Sequence, residues 1–277
     1  MPTSKRINGQ PRASAATCSI NTDIEERTAP KIPTTLTLQI SEGWYHPIKL
    51  ATTLIIMLQK SLSVTELLDR TYNIAGLSVK ELAHRVDQHV PLHFLSNKGW
   101  VGQLLEFFLG AEAGSLALPD FPKLGIELKT IPLSRAGKPL ESTYVSIVPL
   151  VNTVGIEWSQ SVVWHKLRHV LWIPIIGDRE TPIGERIIGN ALLWQPSATQ
   201  TVILKNDWEE HMEKISLGYI DQIKSGDGMY LQIRPKAANN RALSNAVGED
   251  GSLIQTLPRG FYLRARFTRE IMEAEYV

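Results

Sequence analysis

The chain has 277 residues, 43% hydrophobic and 21% charged, which is enough to build a core and excludes a wholly disordered, collagen-like or rod-like protein. Twenty-nine basic and 28 acidic residues leave a net charge of +1, so a nonspecific polycation is excluded while a local basic site stays open. Cys18 is the sole cysteine, which rules out an internal disulfide framework and a cysteine-rich zinc site and suggests a reducing, intracellular compartment.

Residues 1–43 contain no Phe, Trp or Tyr and are rich in Thr, Ser, Pro and Ala, so a disordered tail is predicted there. Residues 44–60 form a short extra segment or linker. Its apolar run Leu50–Leu58 is far shorter than the ~20 residues that span a bilayer. A soluble, cytoplasmic protein is expected, with translation starting at Met1 or Met57.

Two capping boxes follow, Ser63-Val-Thr-Glu66 and Ser78-Val-Lys-Glu81, and each predicts a helix start. Gly76 is expected to end the first helix. Asn97 is read as the cap of a third helix, from Lys98 to Leu109, stopped by Gly110. Leu124–Leu133 reads as a strand, with Ile126, Leu128 and Thr130 on one face and Glu127, Lys129 and Ile131 on the other. Gly137-Lys-Pro139 is a turn, and Thr143–Leu150 a second strand, which together predict a hairpin. Val170–Ile175 is a strand behind the basic stretch His165-Lys-Leu-Arg-His169. Asn206–Leu217 is a helix with Asp207, Glu209 and Glu210 in its first turn. Ser225–Gly228 is a turn before the strand Met229–Pro235. Asn245–Gly251 reads as a helix end and a turn. Leu257–Gly260 turns into the strand Phe261–Phe267, with Tyr262, Arg264 and Arg266 on one face. There is no internal repeat.

Glu127-Leu-Lys129 is the most informative spacing. Period two places an acid and a lysine on the same face of an otherwise apolar strand, a costly arrangement unless they have partners. Asp120 precedes it by seven positions, and Glu106 lies within the apolar helix before that. Two carboxylates plus a lysine suit a Mg²⁺-assisted phosphodiester hydrolase. The spacing alone is a weak signal, and a solvated strand edge carrying an i, i+2 ion pair is the more common reading of it. The stretch His165–His169, Arg234-Pro-Lys236 and the arginines around Tyr262 are candidate phosphate and base contacts, or solvated faces. His84, His89 and His93 read as surface residues, and no glycine-rich phosphate loop follows a strand.

Taken together these strings resemble a known family. Lys98-Gly-Trp-Val-Gly-Gln-Leu-Leu-Glu106, Leu109-Gly-Ala-Glu-Ala-Gly-Ser115, Asp120-Phe121, Leu124-Gly-Ile-Glu-Leu-Lys-Thr-Ile-Pro132, Pro139-Leu-Glu-Ser-Thr143, His165-Lys-Leu167, Val170-Leu-Trp-Ile-Pro174, Tyr230-Leu-Gln-Ile-Arg-Pro-Lys-Ala-Ala-Asn239 and Leu257-Pro-Arg-Gly-Phe-Tyr-Leu263 fall in one consistent order. The stretch 61–277 resembles the MutH family of mismatch-repair endonucleases. The resemblance implies an α/β, restriction-endonuclease-like fold: a mixed sheet with flanking helices and two arms around a DNA-binding cleft. It implies a monomeric, Mg²⁺-dependent endonuclease that nicks the unmethylated strand of double-stranded DNA at hemimethylated GATC sites, stimulated by MutL and indirectly by MutS. It places Asp120 and Glu127 as metal ligands, Lys129 beside the attacking water and Glu106 as an additional active-site acid. Lys98 and Lys166 become phosphate-contacting lysines. Arg234, Pro235 and Lys236 become the sequence-reading loop, and Tyr262 the sensor of adenine methylation. Tyr144 stands where the family pattern has a phenylalanine at the DNA face. The alternatives are a restriction endonuclease that cuts both strands and a catalytically silent binder of hemimethylated DNA.

Overall fold

Both predicted capping boxes are present in the computed structural model, which describes residues 62–91, 99–114, 116–236 and 242–275, all within the unit Gln59–Val277. Ser63 and Glu66 cap helix α1 (Val64–Tyr72), and Ser78 and Glu81 cap α2 (Val79–Arg85), each pair reciprocally. The first helix ends at Asn73 rather than Gly76, which instead supplies positive φ to the following turn. Helix α3 (Trp100–Leu109) starts at Gly99 and stops at Gly110, both left-handed. The expected tail, the linker, Asn97 and Lys98 lie outside the described residues. Among the described residues no helix is long and apolar enough to cross a membrane.

The first sheet is mixed. β1 (Glu127–Leu133) runs parallel to β3 (Val170–Ile176), with Glu127 opposite Val170 and Lys129 opposite Trp172. Antiparallel to β3 lie the short strands β4 (Ile187–Ile188) and β5 (Leu192–Trp194). The second sheet is antiparallel, in the order β2 (Thr143–Ile147), β9 (Arg259–Leu263), β6 (Leu231–Pro235). β7 (Ser244–Val247) and β8 (Leu253–Thr256) form a separate hairpin.

The remaining helices are α4 (Val162–Leu167), α5 (Ala198–Ser216) and α6 (Ala265–Glu275).

Four expectations are corrected. β1 and β2 do not form a hairpin; after the turn at residues 134–138 the chain passes to the second sheet, where β2 takes β9 as its partner. Helix α5 starts at Ala198, eight residues before the predicted start, because Ser197 and Gln200 form a third capping box. Asp207 is therefore mid-helix, and its carboxylate accepts the backbone N–H groups of Met229, Tyr230 and Leu231 at 2.6–2.8 Å. The strand predicted over Phe261–Phe267 ends at Leu263, and α6 follows from Ala265. The stretch 245–251 holds strand β7 and a turn rather than a helix end.

Two apolar clusters form the core, and β3 serves both. Val170 and Trp172 face a cluster with Trp208 of α5, Phe267 of α6, Phe261 of the second sheet, Trp194 of β5 and Trp158 from the turn before α4. Leu171, Ile173 and Ile175 point the other way, into a cluster built from α1, α2 and α3. The period-two alternation of the strand thus sends neighbouring residues to opposite cores.

Candidate active site

β1 follows the same alternation. Ile131 and Leu133 join the tryptophan-rich core, but the two residues before them on that face are Glu127 and Lys129, only 2% and 9% exposed. This excludes a solvated strand edge. Lys129 Nζ donates to Glu127 Oε1 at 2.8 Å, and Lys166 Nζ, from the last turn of α4, donates to Oε1 at 2.9 Å and to Oε2 at 3.1 Å. One carboxylate therefore carries two ammonium groups. Burying such a cluster is tolerable only because each charge meets an opposite one in hydrogen-bonding geometry.

Asp120 arrives from the loop before β1. A bridge between Phe121 and Ile126 closes that loop, with Gly125 at positive φ. The backbone N–H of Leu128 donates to Asp120 Oδ2 at 2.8 Å, which pins the carboxylate to the strand. Burial raises the Asp120 carboxyl above its ordinary range, and the charge of Glu127 adds to this; the Leu128 N–H, Lys129 and Lys166 oppose it. Glu106 projects from the half-exposed side of α3. Burial raises it as well, followed by the charges of Asp120 and Glu127. These mutual effects place the three acids in one electrostatic cluster.

Among the described residues, no three Asp, Glu, His or Cys side chains converge to hold an ion by themselves. Asp120 and Glu127 supply a two-carboxylate, all-oxygen donor set. That set fits Mg²⁺, which keeps several waters and takes only one or two protein carboxylates. The like-charge repulsion that adds to burial in raising Asp120 and Glu106 is the electrostatic condition that a hard cation relieves.

An open pocket of about 800 Å³ runs past this cluster and is lined by Glu106, Lys129, Tyr144, Arg234, Pro235 and Tyr262, among others. Tyr144 and Tyr262 are opposite each other in the β2–β9 pair, and their rings meet edge-to-face at 5.4 Å. Lys236 Nζ sits 3.1 Å from the Tyr144 ring centroid, and the Arg234 guanidinium 5.6 Å from that of Tyr262. Gly260 makes room for this stack, since a Cβ there would come 3.0–3.3 Å from both rings and from the Lys236 stem. Burial, then Tyr262 and Glu127, push the Tyr144 hydroxyl up to about 12, so it stays protonated. Burial, then Lys129, lower the Lys236 ammonium.

The structure thus brings together Glu106, Asp120, Glu127, Lys129 and Lys166, and beside them Tyr144, Arg234, Pro235, Lys236 and Tyr262. Lys98 lies outside the described residues. The two arginines grouped with Tyr262 do not share its face. Arg264 donates to the backbone carbonyls of Gly228, Ser225 and Asp227, and Arg266 to that of Met229, so both staple a loop. The basic stretch at 165–169 also divides: Lys166 reaches Glu127, Leu167 enters the core and Arg168 is exposed. Sequence reasoning missed Ser142, whose Oγ accepts from Gln232 and from Arg234, both at 3.1 Å. Its partners are 90 and 92 positions away, and no local pattern signals that contact.

The family profile for the DNA mismatch repair enzyme MutH matches residues 109–207. The chain is 52% identical over 215 residues to the DNA mismatch repair protein MutH of Vibrio campbellii, covering 78% of this chain and 95% of that protein. It is 54% identical over 211 residues to the protein of the same name from Vibrio cholerae serotype O1, covering 76% and 96%. It is 53% identical over 208 residues to that of Pasteurella multocida, covering 75% and 94%. With more than half of the aligned positions identical across nearly the full length of these relatives, the chain belongs to the MutH family of DNA mismatch repair enzymes.

Proposed function

We propose that this DNA endonuclease nicks the unmethylated strand of duplex DNA at hemimethylated GATC sites, with Mg²⁺ bound between Asp120 and Glu127. The observation that carries the reading is a buried acid–acid–lysine cluster whose Lys129 lines a pocket also lined by Tyr144, Tyr262 and Arg234, with Lys236 seated on the Tyr144 ring. In this reading the parts built around the first and the second sheet act as the two arms beside the duplex.

Asp120, held by the Leu128 N–H, presents its free oxygen at a fixed position, and Glu127 faces the same space. A cation held by Asp120 and Glu127 would supply Lewis acidity for the phosphoryl oxygen and the attacking water. Lys129 orients the attacking water, whose oxygen bonds to phosphorus as the P–O bond to the leaving sugar oxygen breaks, and offsets the negative charge growing on the non-bridging oxygens; the proton of the water is lost to the solvent side and the leaving oxygen takes one from solvent. Glu106 adds negative potential and a proton acceptor at the edge of the cluster. Lys166 and Lys98 contact backbone phosphates. Arg234 suits a bidentate contact with guanine, and Tyr262 and Pro235 meet the adenine edge, where an N6-methyl group changes shape and hydrogen bonding. One such cluster cuts one strand, so a monomer suffices. MutL, acting after MutS, is the expected activator, and the cytoplasm the expected compartment.

The test is Mg²⁺-dependent nicking of a circular hemimethylated GATC substrate. Asp120→Ala and Lys129→Ala should each lower the rate by roughly a hundred-fold or more. Wild-type rates in either variant overturn the assigned chemistry. Linear rather than nicked product assigns restriction-type double cutting instead. Binding without cleavage, even with MutL added, assigns a silent binder.

A further inference from the structure

We infer that Lys166 is a positioning residue that governs when Glu127 becomes a metal ligand: in the DNA-free protein its ammonium occupies the cation position on Glu127, and it must leave before a divalent ion can use that carboxylate. This rests on the reading of Asp120 and Glu127 as cation ligands.

The geometry distinguishes the two lysines. Lys129 engages one oxygen of Glu127, whereas Lys166 is forked across both, at 2.9 and 3.1 Å. The space between two carboxylate oxygens is where a cation binds, and an ammonium there both fills it and repels an incoming ion. The lysines also differ in freedom. Lys129 is two residues from Glu127 on the same strand, with 9% of its side chain exposed. Lys166 belongs to the six-residue helix α4, is 17% exposed, and extends on a flexible four-carbon stem. Lys166 is therefore the one able to withdraw.

Charge balance shows what it withdraws to. Three acids (Glu106, Asp120, Glu127) and two ammoniums give the cluster a formal charge of −1. A divalent ion alone makes it +1, and one backbone phosphodiester restores neutrality. An arriving phosphate offers Lys166 a charge-assisted acceptor to replace Glu127. Duplex and cation thus favour each other's binding, and the coupling is reciprocal. Without DNA, Lys166 keeps the site poorly loaded and the nuclease quiet.

The experiment measures Mn²⁺ binding to the full chain without DNA, from the electron paramagnetic resonance signal of the free ion. Lys166→Met should bind Mn²⁺ on the order of ten-fold more tightly than wild type. Lys236→Met removes the same unit of charge from a lysine seated on the Tyr144 ring, and should change the affinity by less than about three-fold. Equal affinity of Lys166→Met and wild type, or equal tightening by Lys236→Met, overturns the inference. A second measurement is read on the wild-type chain, with a variant used only to assign the signal. In ¹H–¹⁵N spectra of lysine ammonium groups of the wild-type chain, the Lys166 signal, assigned by its loss in Lys166→Arg, should move on adding Mg²⁺, and on adding a hemimethylated duplex alone. A signal unmoved at saturating Mg²⁺ overturns it as well. If Mn²⁺ binds neither protein, or binds Asp120→Asn as tightly as wild type, the cation-ligand reading fails and the gate with it; binding lost in Asp120→Asn but unaffected by Lys166→Met removes the gate alone.

Discussion

The role proposed for Tyr262 rests on what surrounds the side chain. Its ring is fixed edge-on by Tyr144, approached by the Arg234 guanidinium and given space by Gly260, so it presents a rigid surface to the pocket. A fixed aromatic wall tells a methylated edge from a bare one by contact, and one methyl in a shaped site is worth about ten-fold or more in discrimination. Tyr262→Ser should lower the ratio of nicking rates on hemimethylated and fully methylated duplexes by about ten-fold, with the Mg²⁺ requirement unchanged. A ratio equal to wild type removes Tyr262 from the sensing role. His211 gives the pH dependence. It is fully buried on α5; its Nε2 donates to the Leu231 carbonyl at 3.2 Å, and burial lowers its pKa from 6.5 despite the nearby Leu231 carbonyl, Asp207, Glu210 and Asp227. Above pH 6.5 the imidazole is neutral both folded and unfolded and costs nothing. As pH falls below 6.5 the unfolded chain gains a proton that the folded one resists, so stability declines until the lowered folded pKa is reached. Urea denaturation at pH 7.5 and pH 5.5 should show that decline, and His211→Gln should make it shallower. The ionic residues of the site were legible one by one, because Asp120, Glu127 and Lys129 lie within ten positions and obey strand periodicity. Lys166 on Glu127 and Ser142 on Arg234 were not, since they meet across 39 and 92 positions.

Elements whose signals are local are legible in the chain, and elements defined by distant partners are not. The capping boxes at Ser63 and Ser78 sit at the observed starts of α1 and α2, and the apolar run 170–176 is β3. The third box is less legible because its N3 residue is Gln200 and the acidic stretch at 206–210 mimics the first turn of a later helix. Ser197→Ala should cost about 1 kcal/mol of stability, measured by urea denaturation, because the Gln200 N–H loses its acceptor. The false hairpin has a different origin. A turn followed by a second apolar run looks like a hairpin to any local pattern, but strand pairing is settled by which faces can be buried together. Here β1 pairs with a strand that begins 43 positions after its own first residue, and β2 with one nearer the C-terminus. The misassigned stretch after Leu263 has a similar cause: alternating Phe261, Leu263, Ala265 and Phe267 mimics a strand, and Phe267 reaches the same core from the first turn of a helix.

At the scale of the whole molecule, the resemblance read from the strings agrees with a chain that covers nearly all of its relatives and folds as a mixed α/β protein. What no string conveyed is the division of labour across β3. Val170 and Trp172 belong to one apolar cluster, and Leu171, Ile173 and Ile175 to the other. A wall common to both interiors ties their fates together. Neither can melt while the other stays intact, because losing either set of neighbours strips one whole side of the same strand. Scanning calorimetry of the region that carries both should record a single endotherm whose van't Hoff and calorimetric enthalpies coincide. Trimming Trp172 to alanine should move that peak to lower temperature as one unit rather than split it in two.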